Sequence, residues 1–228
     1  MFRYVLVTAA LAVVAYSSFQ IANGESAPAA ELLERAQSGD AEAQYDIGMR
    51  FLENMRTSDE RTQGIYWLEL ASAQDHVEAR FELGSLLLYS GNEAREIRRG
   101  IGLLQELGRN FHARSLKTLA LAYFHGSNVR IDMPRALFYA DLSTTAGSRS
   151  ANSCLDDFMD RLLESKGSNE SAASGLEYCK ALSAESAEMR GTLLTLMDRA
   201  TEYEFERSRE LMDQFVLSNA YPDPLLDQ

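Results

Sequence analysis

The stretch AEAQYDIGMRF, Ala41 to Phe51, decides the fold, because the chain returns to it as VEARFELGSLL from Val77 to Leu87 and as ARSLKTLALAY from Ala113 to Tyr123. The interval is 36 residues each time. Stacked in register, Ile47, Leu83 and Leu119 share one column and Gly48, Gly84 and Ala120 the next. Phe51, Leu87 and Tyr123 form a third column, and Ala43, Ala79 and Ser115 a fourth. The four stand at i+4, i+5, i+8 and i, which trace one face of a helix. Large side chains on that face fill space, and the small column lets a second helix come close. Glycine inside a helix costs up to about 1 kcal/mol relative to alanine, so its return marks a packing need.

Each copy runs on into a second helical segment: QGIYWLELASAQ at Gln63 to Gln74, RGIGLLQELGRN at Arg99 to Asn110 and PRALFYADLSTTA at Pro134 to Ala146. Again the columns agree, with Gly64, Gly100 and Ala136 small and Trp67, Leu103 and Tyr139 large. Pro134 suits a first helical turn, where its missing N–H is not needed. A lone hairpin of this size cannot bury its apolar face, whereas stacked copies bury a continuous core. The pattern therefore predicts an all-α, right-handed α/α superhelical solenoid of about three to four helix-turn-helix repeats. They run over 41–76, 77–112, 113–148 and a degenerate 149–183.

The third copy, ALAYFHGSNVRIDMPRALFYADLSTTAGS, carries Tyr123, Gly126, Val129, Asp132, Ala136, Tyr139 and Ala146-Gly147 at the spacing of a known family. It resembles the Sel-one-like repeats, relatives of the tetratricopeptide repeats. The junctions Glu34 to Gly48 and Leu70 to Gly84 resemble the same family, and the likeness extends over residues 28–165, within a repeat region read as 28–183. Asp75 stands where that family has glycine, and the first two copies lack the Gly-x-x-Val-x-x-Asp loop of the third. In the fourth copy Leu155 keeps the aliphatic column while Asp156 replaces the small residue, as befits a terminal unit whose outer face meets water. Beyond Gly167 to Gly175, read as a turn running into a weak helix, a charged stretch over 184–217 with Met189, Leu193, Leu196, Ala200 and Tyr203 on one stripe is expected to be a single long capping helix. Residues 218–228 read as an irregular tail.

The chain opens with MFR, an uncharged run YVLVTAALAVVAY of 13 residues, and the small-residue stretch SSFQIANG. That is the layout of a secretory signal peptide, here residues 1–24 with cleavage after Gly24. The run is shorter than the ~20 residues that span a bilayer, which leaves an uncleaved N-terminal anchor as the alternative. Export predicts a periplasmic or secreted protein. Without residues 1–24, which hold Arg3 and no acid, 21 basic side chains face 34 acidic ones, a formal charge of −13. Nucleic acid is then excluded as a natural partner, since binding it needs clustered Lys and Arg. Cys154 and Cys179, 25 residues apart, suit a bridge across a helical hairpin in an oxidising compartment. A redox-active pair would call for Cys-x-x-Cys, which is absent.

Motifs of catalysis are missing: the sequence has no nucleophile elbow, phosphate loop, zinc-protease helix or dinucleotide fingerprint. No catalytic residue, metal site or cofactor is therefore expected. His76 and His112 lie 36 apart, so the repeat explains their recurrence, and His125 falls at a helix end. A stacked array does offer an extended face lined by the first helix of each hairpin. On it Asp46 and Glu82 would capture a basic or polar protein segment, with Tyr89 as the flat apolar contact and Thr118 and His125 on the more neutral third copy.

The expected function is a non-enzymatic protein-protein interaction scaffold or adaptor of the bacterial cell envelope, with a protein or peptide partner. The resemblance implies adaptor roles in assembly, signalling or host contact. It also implies one alternative, an enzyme acting on the cell wall or binding peptidoglycan or penicillin; a second is a structural accessory subunit of a secretion or polysaccharide-export complex, held by the C-terminal helix.

Overall fold

The computed structural model describes residues 27–53, 57–164, 169–218 and 220–221, with helical backbone alone at 27–29, within 151–179 and at 182. The expected signal peptide, the first two residues of the segment 167–175 and the tail past Tyr221 lie outside the described residues, as do the side chains of Cys154 and Cys179; the rest of 167–175 is helical. All regular structure among the described residues is helical: α1 (Ala27–Gln37), α2 (Ala41–Glu53), α3 (Ser58–Ser72), α4 (Val77–Ser90), α5 (Ala94–Arg109), α6 (Ala113–His125), α7 (Met133–Glu164), α8 (Asn169–Arg199) and α9 (Glu202–Ser218). None of these is long and apolar enough to cross a membrane. The chain forms two compact units, divided between Leu83 and Gly84 inside α4.

In the first unit α2 packs against α1 and α3. Leu32 and Ala36 of α1, Ala43, Ile47 and Phe51 of α2 and Trp67 of α3 make its core, each no more than 8% exposed. The helices α2 and α3 cross at two glycines. A Cβ on Gly48 would stand 3.0 Å from Leu68 and 3.2 Å from the Gly64 carbonyl, and one on Gly64 would stand 2.6 Å from Leu52. The small columns of the sequence are thus where two helices touch. The second unit repeats the device: a Cβ on Gly100 of α5 would lie 2.7 Å from the Gly84 carbonyl and 2.7 Å from the Leu88 nitrogen. In that unit α6 packs on α5 and α7, and α7 packs on α8 and α9.

The turns that enter α2, α4 and α6 share one design. Gly39, Asp75 and Phe111, 36 residues apart, all adopt the left-handed conformation, at φ 99°, 62° and 60°. Each closes the same pair of hydrogen bonds. Asp40 N–H donates to Arg35 O and Gly39 N–H to Ala36 O; His76 N–H donates to Ala71 O and Asp75 N–H to Ser72 O; His112 N–H donates to Leu107 O and Phe111 N–H to Gly108 O. This Schellman arrangement satisfies the last carbonyls of the preceding helix and favours glycine at its left-handed position. At Phe111 the bulky residue sits in a conformation that costs an L-residue roughly 1–2 kcal/mol. Its ring, 44% exposed, lies beneath the Arg149 guanidinium at 3.9 Å. Phe111→Gly in an Arg149→Ala background, where the guanidinium contact is already absent, should therefore raise the melting temperature by about 2–4 °C, equivalent to about 1 kcal/mol. A fall on thermal denaturation would show that the left-handed strain is not relieved there.

The fourth copy departs from expectation. Gly147 and Ser148 fall where the turn should recur, yet α7 runs unbroken for 32 residues past them. Their small side chains serve packing: a Cβ on Gly147 would come 2.9 Å from Met189 Sδ, and Ser148 Oγ lies 3.3 Å from Ser186 Oγ and accepts from Arg190 at 3.4 Å. Residues 149–164 and 169–183 therefore belong to α7 and α8, two long helices that pack on each other, in place of a short fourth hairpin. The single capping helix expected over 184–217 is likewise two. The chain breaks at Ala200 and Thr201 because Thr201 and Glu204 start a new helix: Glu204 N–H donates to Thr201 Oγ1, and Thr201 N–H donates to Glu204 Oε2 at 2.7 Å.

Candidate functional site

The expected contact residues divide between the two units. Asp46 on α2 and Glu82 on α4 are half-buried members of the first. Asp46 lies within the field of Arg35, whose guanidinium is held above its ordinary range first by its bond to Asp40 and in small part by Asp46.

Tyr89, Thr118 and His125 belong to the second unit, and the structure brings the first two together. Tyr89 Oη donates to the Thr118 carbonyl at 3.3 Å, linking the end of α4 to the middle of α6, while its ring stays 44% exposed. Burial of part of the ring edge raises the phenol above its usual range. Thr118 Oγ1 donates back into its own helix, to Arg114 O at 2.9 Å. His125 is exposed two turns farther along α6, whose end is closed by Gly126 in the left-handed conformation. From beyond that end Asn128 reaches back, and its Nδ2 donates to Leu88 O at 3.1 Å and Tyr89 O at 3.0 Å. The loop after α6 so terminates α4 and fixes the backbone that carries Tyr89. Asn128 itself is left-handed, at φ 57°.

The histidines resolve differently than repetition alone suggests. His76 caps α4: Ala79 N–H donates to its Nδ1 at 3.1 Å, its Nε2 lies 2.9 Å from Glu42 Oε2, and its ring stacks on Tyr45 at 4.9 Å. A Glu-His pair is a familiar acid-base unit, but a general base must reach a substrate proton through a free lone pair. With Nδ1 accepting from the backbone and Nε2 turned to Glu42, this imidazole is used on both sides. Asp40 holds the same place at α2, where Ala43 N–H donates to its Oδ1 at 3.1 Å. His112 precedes α6 without a side-chain cap bond. The column Asp40, His76, His112 is therefore the helix-start position of each copy, and its signal was the residue just before each repeated AEAQ-like start. The Thr-x-x-Glu capping boxes at Thr57 and Thr201 were equally readable as helix starts.

Asp40 yields a pH test. The Ala43 N–H foremost, and Arg35 next, hold its carboxyl below the ordinary range. A carboxyl lowered in the folded state stabilises above its unfolded value, and that stabilisation fades as pH falls through the folded one. Acidification below about pH 4 should therefore lower the unfolding temperature reported by Trp67, the lone tryptophan, and Asp40→Asn should flatten that fall. An unchanged acid profile would remove Asp40 from the account.

Among the described residues no group of three or more His, Cys, Asp or Glu side chains is placed to hold a metal ion. No protein-family model matches the sequence, and no curated protein does. Two solved structures align with the chain at low similarity. A protective antigen present in uropathogenic Escherichia coli strains, displaying an SLR fold, aligns at 18% identity and TM-score 0.42 over 82% of this chain and 50% of its own. A Sel1 repeat protein from Oxalobacter formigenes aligns at 17% identity and TM-score 0.41 over 92% of this chain and 73% of its own. The chain thus spans half the length of the first.

Proposed function

We propose that this all-α repeat protein is a Sel-one-like binding module: a non-enzymatic scaffold or adaptor of the cell envelope that holds a protein partner on the first helices of its repeats. The observation that carries the reading is Tyr89. A large, half-exposed aromatic is tethered across α4 and α6 and seated on backbone that Asn128 fixes. A rigid aromatic of this kind binds at low entropic cost, and such residues dominate interface energies. The acidic side chains of the first unit, Asp46 and Glu82, favour a partner segment with basic or polar character. Export through residues 1–24 belongs to the same proposal, and intact mass of the cell-derived protein tests it by loss of the residues up to Gly24.

The decisive experiment is crosslinking followed by pull-down from the native host, comparing the wild-type chain with Tyr89→Ala and with an Asp46→Lys, Glu82→Lys double variant. The expected result is a partner retained at least tenfold less by Tyr89→Ala, with helicity unchanged and the chain still folded at the assay temperature, since losing an interface anchor costs about 2 kcal/mol or more. A partner held equally by all three proteins, or none held by the wild type, would sink the reading. Hydrolysis of cell-wall material would then be assayed.

A further inference from the structure

In the second unit four aromatic rings stand in a row. Tyr123 stacks on Tyr139 at 5.7 Å, Tyr139 on Tyr221 at 5.8 Å, and Tyr221 on Phe215 at 4.9 Å. Tyr221 differs from the others in origin. Helix α9 ends at Ser218, and three residues later the Tyr221 ring lies against Phe215 of that helix, set in a slot. Tyr139 forms the back wall, fully buried and pinned by Gln105 Nε2, which donates to its Oη at 2.7 Å. Phe138 presents an edge at 6.4 Å, and the Arg109 guanidinium lies over the face of Tyr221 at 5.3 Å. The floor is Gly108, where a Cβ would come 2.8 Å from Tyr221 Oη. Helices α5 and α7 thus build a cleft with a flat wall, a glycine floor and a cation over the ring, and Tyr221 fills it.

We propose that this cleft is a docking slot for a tyrosine of a partner protein segment, and that Tyr221 occupies it in cis as an autoinhibitory plug. The slot lies on the second helices of the repeats, apart from the Tyr89 face, and stands whether or not that face binds. Its chemistry selects the ligand. Stacking walls and a guanidinium favour an electron-rich ring, and the missing side chain at Gly108 leaves room for a phenol oxygen. Val216 and Leu217, 73% and 87% exposed beside Phe215, offer a bound segment apolar surface that the chain itself leaves uncovered. Removal of the Tyr221 ring from water, opposed in part by Arg109, pushes its phenol up to about 12, in accord with an enclosed site. A short tether holds the plug at an effective concentration on the order of mM, so a free segment must compete with it.

The test uses the full chain and a fluorescein-labelled synthetic peptide copying residues 216–228, VLSNAYPDPLLDQ. Fluorescence anisotropy should show saturable binding to the Tyr221→Ala chain and at least tenfold weaker binding to the wild type and to Tyr221→Phe, whose plug remains. A peptide with alanine in place of its tyrosine should not bind. Equal binding to the alanine variant and the wild type, no binding to either, or indifference to the tyrosine of the peptide would overturn the proposal. A second measurement needs no loosened variant. With tyrosine ring carbons labelled in the wild-type chain, and Tyr221→Phe assigning the signal, excess unlabelled peptide should move the Tyr221 resonance to its free position. A signal that stays put at saturating peptide also overturns it.

Discussion

Leu119→Ala should lower the unfolding free energy by about 2–5 kcal/mol, read as a fall in the urea midpoint at unchanged slope. Leu119 is 0% exposed on α6, and its repeat equivalents Ile47 and Leu83 are 0% and 1% exposed. At such a site the change removes apolar contacts and leaves a cavity that close-packed neighbours fill only in part. Ile47→Ala should fall in the same range, with the transition visible in Trp67 fluorescence because both side chains belong to one core. A loss under about 1 kcal/mol at Leu119 would mean that its surroundings collapse freely, and the column would not be the spine of the fold.

The second large effect comes from adding a single methyl group. Gly100→Ala should destabilise by about 1–3 kcal/mol, while Gly102→Ala, two residues along the same helix, should stabilise by about 1 kcal/mol. A Cβ at Gly100 meets the backbone of α4 at 2.7 Å on two atoms, and backbone cannot step aside as a side chain tip can. At Gly102 nothing lies within 4 Å, so alanine brings its helix preference at no steric charge. Melting of both variants against the wild type makes the comparison. If the two shift alike, α4 and α5 are not held by glycine contact.

Much of this was legible in the sequence. The columns at Ile47, Leu83 and Leu119 are core, and the paired glycines are helix crossings, because repetition averages out the ambiguity that any single helix carries. Three features resisted reading, each for a physical reason. Gly147-Ser148 has better turn chemistry than the Phe111-His112 pair that does turn. Contact with Met189 and Ser186 on α8 outweighs that local preference and keeps α7 straight through it. The break at Ala200 was hidden because the apolar stripe continues across it, while the signal lay in the Thr201–Glu204 pair. Tyr221 sits in a Pro-flanked tail with no periodicity, and only three-dimensional proximity reveals that it meets the rings of Phe138, Tyr139 and Phe215. Of the contact face, the meeting of Tyr89 with Thr118 has no sequence signature, because a hydroxyl to a distant carbonyl is a product of register between helices.

The reach of Asn128 has a consequence for synthesis on the ribosome. The carbonyls of Leu88 and Tyr89 find their partner in a residue 40 and 39 positions downstream. At about 5–20 residues per second, translation leaves the end of α4 open for roughly 2–8 seconds before the amide that closes it exists. The turn after α6 then finishes a helix made one repeat earlier, so this part of the nascent chain is completed backwards, from the later copy to the earlier one.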